Sequence, residues 1–292
     1  MRRLVGKLVA VSIGDAPDRA RLGFPQREID RMLLSVCSAL VRAGAGVAYG
    51  GNLDPDGYSY KIFRHLAGAY ATSRDTPFVH FIPESVARFT RYEDLLAILQ
   101  AGRGVVHTQI ARHGALFRAR PSADGIHLGT VQVRDDAELG AWFAASPYQS
   151  AAEALSAVRR LMNERSDARV ILGGRMGVLG LPSDTYEGAA PGVVEEALLA
   201  LDAGKPLVAL GSFGGASRDV AIELGLLAKA SKIPRTAQHA SYEQALREIA
   251  GQRHRIPHAL LTDLRAIADD DRAEQSARMA VELIVRWLEE RG

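Results

Sequence analysis

Two rhythms of apolar and polar positions alternate along the chain. Short, nearly continuous apolar runs such as KLVAVSIG, AGAGVAYGG, FVHFIPE and RVILGG are closed by glycine or proline, and between them apolar residues recur every three to four positions. The first rhythm predicts strands buried on both faces and the second predicts amphipathic helices. Their alternation predicts the α/β class, as a Rossmann-like open parallel sheet with helices on both faces. After the first run, Ile29, Leu33, Cys37 and Leu40 share one helical face. Further helices are expected at 58–70 and 92–101. The turn residues of RPSADG and the alternation in GIHLGTVQV predict an inserted hairpin around 108–134, and a helical region interrupted at Pro147 leads into RVILGG. Pro191 in a first turn, Glu195 and Glu196 behind it and Gly204 beyond mark a short capped helix. PLVALGSFGG reads as the next strand and its exit, and SRDVAIELGLLAKA as the following helix. In the last stretch Met279, Leu283 and Trp287 share a face with Ala280, Ile284 and Leu288, which predicts a helix packed on the body or on another subunit.

Composition narrows the function classes. The chain has 292 residues of which 47% are hydrophobic, enough for a substantial core. Lys and Arg number 36 against 34 Asp and Glu, a net charge of +2, so no basic field points to nucleic acid or a membrane surface as principal partner. No run approaches the roughly 20 apolar residues that span a bilayer. The opening MRRLVGKLVAVSIG reads as a buried strand rather than a leader, because Lys7 interrupts it and Asp15 and Asp18 follow. With Cys37 as the single cysteine, a disulfide framework is excluded and a reducing, cytoplasmic compartment is expected.

The candidate chemistry lies in four glycine turns. They are SIGDAPD with Gly14 and Asp15; YGGNLDPDG with Gly50, Gly51 and Asn52; LGGRMGVLG with Gly173, Gly174 and Arg175; and GSFGG with Gly211, Phe213, Gly214 and Gly215. Such turns gather at the carboxyl ends of parallel strands, where glycine lets backbone N–H groups approach phosphate oxygens. A phosphate-bearing nucleotide ligand is therefore expected, with Gly51, Gly174, Gly192 and Gly214 lining one cavity. Arg175 offers a guanidinium fork for phosphate or, equally, a solvated loop residue. Phe213 and Tyr58 offer rings to a base, or pack in the core. No G-x-x-x-x-G-K-[ST] is present and no G-x-G-x-x-G follows the first strand, which argues against a P-loop nucleotidase and a conventional dehydrogenase. His107 and His113, or His254 and His258, lack companions in a metal-ligand arrangement, so neither metal nor cofactor is expected.

ARVILGGRMGVLG, followed by EGAAPGVVEEALLALDAGKPLVALGSFGG, resembles the SLOG superfamily. That superfamily includes the "lonely guy" phosphoribohydrolases, the DNA-processing proteins of competence and nucleotide-sensing domains of bacterial defence systems such as Thoeris. The resemblance is most specific over 158–220 and extends from 7 to about 230, giving a nucleotide-binding domain over 1–230 and a helical extension over 231–292. The enzyme branch carries P-G-G-x-G-T-x-x-E. Gly192, Val193, Val194, Glu195 and Glu196 match its end, which makes Glu196 the counterpart of the family's acid, and Arg159 or Arg160 that of its arginine. Val193 stands in place of the threonine, and the paired glycines lie upstream at Gly173 and Gly174. These departures bring the chain closer to the sensor branches. The resemblance thus implies a homodimeric sensor or signalling module for a nucleotide-derived ligand, ADP-ribose-like or cyclic. An N-glycosidic hydrolase or ribosyltransferase using Glu196 with Arg159 or Arg160 is the alternative. First-turn acids favour the helix dipole by about 0.3–1 kcal/mol. That accounts for one of Glu195 and Glu196, and one carboxylate is expected to accept hydrogen bonds from ribose hydroxyls.

Overall fold

The computed structural model describes residues 3–70 and 77–291. Met1 and Gly292, the outer ends of the two expected segments, lie outside the described residues. The chain runs through β1 (Leu8–Gly14), α1 (Gln26–Arg42), β2 (Gly46–Gly50), α2 (Tyr58–Tyr70), β3 (Phe78–Ile82), α3 (Glu84–Ala87) and α4 (Tyr92–Ala101). Four strands follow closely, β4 (Val106–Arg112), β5 (Ala115–Ser122), β6 (Gly125–Leu128) and β7 (Val131–Val133), then α5 (Asp136–Ala144) and α6 (Ala151–Arg165). The remainder alternates again: β8 (Ala168–Gly173), α7 (Gly192–Asp202), β9 (Leu207–Leu210), α8 (Gly215–Glu223), α9 (Ala240–Gly251), α10 (Leu261–Ala268) and α11 (Ala273–Arg291). Two compact units result, Met1–Ala45 with Ser166–Gly292, and Gly46–Arg165.

In the first unit β1, β8 and β9 pair in parallel in that order, with Gly14 opposite Gly173 and Arg169 opposite Leu207. All six positions of β8 are buried, so both faces of the strand are covered, as its unbroken apolar run requires. The helical face of Ile29, Leu33, Cys37 and Leu40 is buried on α1, which packs on β1, β8 and α11. Burial pushes the Cys37 thiol up to about 12. Helix α7 packs on β1, β8 and α9, and α8 packs on β8 and β9. Helices α9, α10 and α11, beyond residue 230, belong to this same unit. On α11, Trp287 is 2% exposed and spent inside the chain, so it is not an anchor waiting for a partner subunit. The helix expected over SRDVAIELGLLAKA ends earlier, at Glu223, because Gly225 takes the left-handed φ of 73° that stops a helix.

The second unit begins as a parallel β2, β3, β4 array and continues with antiparallel pairings from β4 through β7. Residues 108–134 thus belong to a four-strand meander. Its core joins Ile82, Ile110, Ile126 and Leu128 to Trp142 and Phe143, and α6 packs on β2, β3 and β4. Glu84, 2% exposed, bonds Arg88 at 2.5 Å and accepts the His113 N–H at 3.0 Å, which ties α3 to the β4–β5 turn. Among the described residues no helix is long and apolar enough to cross a membrane.

Candidate functional site

The turns leaving β1 and β8 and the head of α7 meet within the first unit. The Gly174 N–H donates to the Gly14 carbonyl at 2.9 Å, and the Ala216 N–H donates to the Gly174 carbonyl at 3.0 Å. Glycine is required where these backbones touch. At Gly173, φ is 59° and a Cβ would lie 2.5 Å from the Gly14 carbonyl oxygen; at Gly174, φ is 100° and a Cβ would lie 2.6 Å from Val193 Cγ2. Gly174→Ala therefore combines an unfavourable backbone with overpacking, and is expected to lose about 2–5 kcal/mol of stability. Urea unfolding checks this, and an unchanged midpoint would contradict the close approach. Gly173 and Gly174 form a buried floor, while Gly14, Gly192 and Glu195 are half-buried and Asp15 and Arg175 exposed. The Val194 and Glu195 N–H groups return to the Pro191 carbonyl at 3.1 Å each. Gly192 and Val193 head the helix, where first-turn N–H groups point outward and favour an anion.

The turn leaving β9 is different. Every residue from Gly211 to Val220 is buried, and Phe213, 1% exposed, packs edge-on against Phe24 at 4.8 Å. The Gly215 N–H at the head of α8 donates to Asp18 Oδ1 at 2.7 Å. The anion held by this turn is thus the chain's own carboxylate. Gly211, Phe213, Gly214 and Gly215 are placed in the interior rather than on an open turn, and Phe213 is a core ring with no face presented to a base.

Asp18 belongs to a buried polar network that the sequence reading passed over. Asp219 accepts both arms of Arg235 at 2.8 and 2.9 Å and the Tyr242 hydroxyl at 2.8 Å, and Arg235 lies 3.8 Å from Asp18 Oδ2. Burial raises the Asp18 carboxyl above its ordinary value, against the opposing pull of the Gly215 N–H and Arg235. Burial and then Asp219 push Tyr242 well up. Burial works against the charge on Arg235, but Asp219, Tyr242 and Asp18 outweigh it and hold the guanidinium above its ordinary value.

Glu196, buried in α7, meets Arg169 of β8 at 2.7 Å, and the same arginine nitrogen donates to Ser12 Oγ at 2.6 Å. Arg169 is 0% exposed. The signal for it was a lone charge inside the apolar strand ARVILGG, where only a paired charge is tolerable. The long connection from β8 to α7 is pinned by Asp184, whose carboxylate accepts the Met176 and Val178 N–H groups at 2.9 and 2.8 Å. Arg175 donates to the Thr185 carbonyl and closes the same loop.

The remaining expected residues lie in the second unit. Gly50 ends β2, and Gly51 sits against Tyr49 and Ser59, where a Cβ would lie 2.6 Å from Ser59 Oγ. Asn52 is exposed and accepts the Asp54 N–H at 3.4 Å, an ordinary Asx turn. Arg159 and Arg160 stand on α6, half-buried and exposed respectively. Among the described residues no group of three or more His, Cys, Asp or Glu is arranged to hold a metal ion.

A search of curated proteins finds no match. A family model described as SLOG cluster2 matches residues 3–268, nearly the full length of both units. The chain belongs to the SLOG superfamily, in the family described as SLOG cluster2.

Proposed function

We propose that the cluster of Gly14, Gly174 and the head of α7 binds the phosphate-bearing part of a nucleotide-derived molecule, ADP-ribose-like or cyclic, and that the chain acts as a sensor or signalling module. The observation that carries this reading is the convergence of the β1 and β8 exits on the first turn of α7, where Gly174 and Val193 are buried but Gly14, Gly192 and Glu195 keep partial exposure. Helix-head N–H groups and backbone brought close by glycine are the chemistry that holds phosphate. Asp15 and Arg175 stand at the exposed rim beside it.

The two acids divide the work. Glu196 is committed to Arg169, which supports a structural part for it and weakens the hydrolase reading in which it acts on substrate. Glu195, half-buried on the same first turn, is the carboxylate suited to ribose hydroxyls. The sensing role rests on the separated G-G and P-G-x-x-E-E elements that the chain shares with the sensor branches of its superfamily.

The test is incubation with nucleoside monophosphates, NAD and ADP-ribose, with thermal shift and chromatography of products. One ligand is expected to stabilise the fold by about 2.7 kcal/mol at a hundredfold excess over its dissociation constant, without release of free base. Glu195→Gln is expected to weaken that binding by about tenfold or less, the contribution of one or two hydrogen bonds. Release of free base that stops in Glu195→Gln or Glu196→Gln promotes the hydrolase instead.

A further inference from the structure

In the second unit a cavity of about 40 Å³ lies between the sheet and helices α2 and α4. Phe78 and His80 of β3 and Thr108 of β4 line it from the sheet, and Ser59, Tyr60 and Phe63 line it from α2. Tyr60 and Phe63 are half-buried and form its mouth, and no charged side chain is among its described lining residues.

Two polar atoms lie at its inner end with nothing to bond. Ser59 and His80 are 3% and 4% exposed, and neither Ser59 Oγ nor His80 Nε2 has a hydrogen-bond partner among the described residues. Gly51 adjoins both of them. Its N–H is given to the Phe81 carbonyl, and its backbone bonds the His80 ring. That bond therefore runs from Nδ1–H to the Gly51 carbonyl and leaves Nε2 as a bare lone pair. Burial holds the imidazole neutral, lowering it to about 4. At neutral pH this end of the cavity thus presents one acceptor that asks for a donor, next to a hydroxyl that can give or take.

Water alone fits this chemistry poorly. One water needs about 10–15 Å³ and makes about three hydrogen bonds, so the cavity has room for about three waters but offers them, among its described lining side chains, only Ser59, His80, Thr108 and the Tyr60 hydroxyl at the mouth. A purely apolar occupant would leave Ser59 and His80 unpaired, which is the costly arrangement. An anion would find no cation among the described lining residues, with Arg64 set outside them over the Tyr60 ring. We propose that the cavity is a binding site for the N–H-bearing or O–H-bearing tip of a small neutral heteroaromatic molecule. The donor goes to His80 Nε2, the neighbouring heteroatom pairs with the Ser59 hydroxyl, and the ring lies among Tyr60, Phe63 and Phe78. Every residue of this site belongs to the second unit.

Pyrazole and N-methylpyrazole are the probes, identical in shape at the ring but only the first able to donate. Titrated into the full chain and followed by saturation-transfer NMR, pyrazole is expected to bind about tenfold more tightly than its methylated form, His80→Phe to remove most of that preference, and Ser59→Ala to weaken both probes. In the wild-type protein, with histidine labelled by 15N, the Nε2 resonance of His80 is expected to shift with pyrazole and not with N-methylpyrazole, a reading that needs no variant to fold. Equal affinities, no binding of pyrazole, or a crystal structure in which ordered waters bridge Ser59 and His80 and are not displaced by pyrazole would each overturn the proposal.

Discussion

Glu196→Ala is expected to destabilise the protein by about 3–5 kcal/mol, the cost of leaving a buried guanidinium without its carboxylate. Arg169 is 0% exposed on a strand whose every position is buried, and Glu196 meets it at 2.7 Å. In a chain of this size that loss lowers the melting temperature on the order of 10 °C. The double substitution Arg169→Met with Glu196→Leu removes both charges and keeps volume, so it is expected to recover most of the stability or exceed it. Differential scanning calorimetry of the two variants checks the claim. A single variant as stable as the parent would mean that the pair is not a structural unit and would return Glu196 to the candidates for substrate chemistry.

Arg235→Met is expected to cost a similar amount, and the loss is expected to depend on pH. Asp219 is 1% exposed and Asp18 5%, and Arg235 is the cation that faces both. Without it two carboxylates remain buried near one another, and Asp18 becomes harder to ionise. The sign follows from linkage. The Asp18 carboxyl is already raised in the folded protein, so it binds its proton more tightly there than in the unfolded chain. The stability tied to that proton is full below the ordinary value of 3.8 and is lost as pH rises through the raised value. Removing Arg235, which pulls the Asp18 carboxyl down, lifts Asp18 further and moves this loss to higher pH. The variant is therefore expected to be weakest at neutral pH and to approach the parent as pH falls toward 4, as read from urea midpoints across that range. A gap between variant and parent that is constant with pH would contradict the buried-charge account.

The fold was legible where one local rule dominates. Helix α2 begins at Tyr58 and α4 ends at Ala101, as expected, because Gly57 and Gly102 bound their amphipathic periods, and β1 and β8 stand out as apolar runs closed by glycine. What was hidden depends on pairing at a distance. Asp18 reaches across 197 residues to the Gly215 N–H, and its DAPD setting looks like any Asx turn. Arg235 and Tyr242 lie 16 and 23 residues from Asp219, on elements whose packing no periodicity reveals. The β9 turn misled for the same reason. GSFGG has the residues of an anion cradle, and the anion it holds is supplied by the chain. Phe213 carried no mark to tell a base-stacking ring from one packed on Phe24. Of the four glycine turns, those with Gly14 and Gly174 meet α7, the β9 turn is enclosed by the same unit, and the turn with Gly50 and Gly51 belongs to the other.

A phosphate-bearing ligand at the head of α7 is tested most directly by a crystal structure with the stabilising nucleotide. Phosphate density is expected within hydrogen-bonding reach of the Gly192 and Val193 N–H groups and beside Gly14, with ribose hydroxyls facing Glu195. Nucleotide density elsewhere, with the head of α7 covered by side chains of the 175–191 loop, would contradict it.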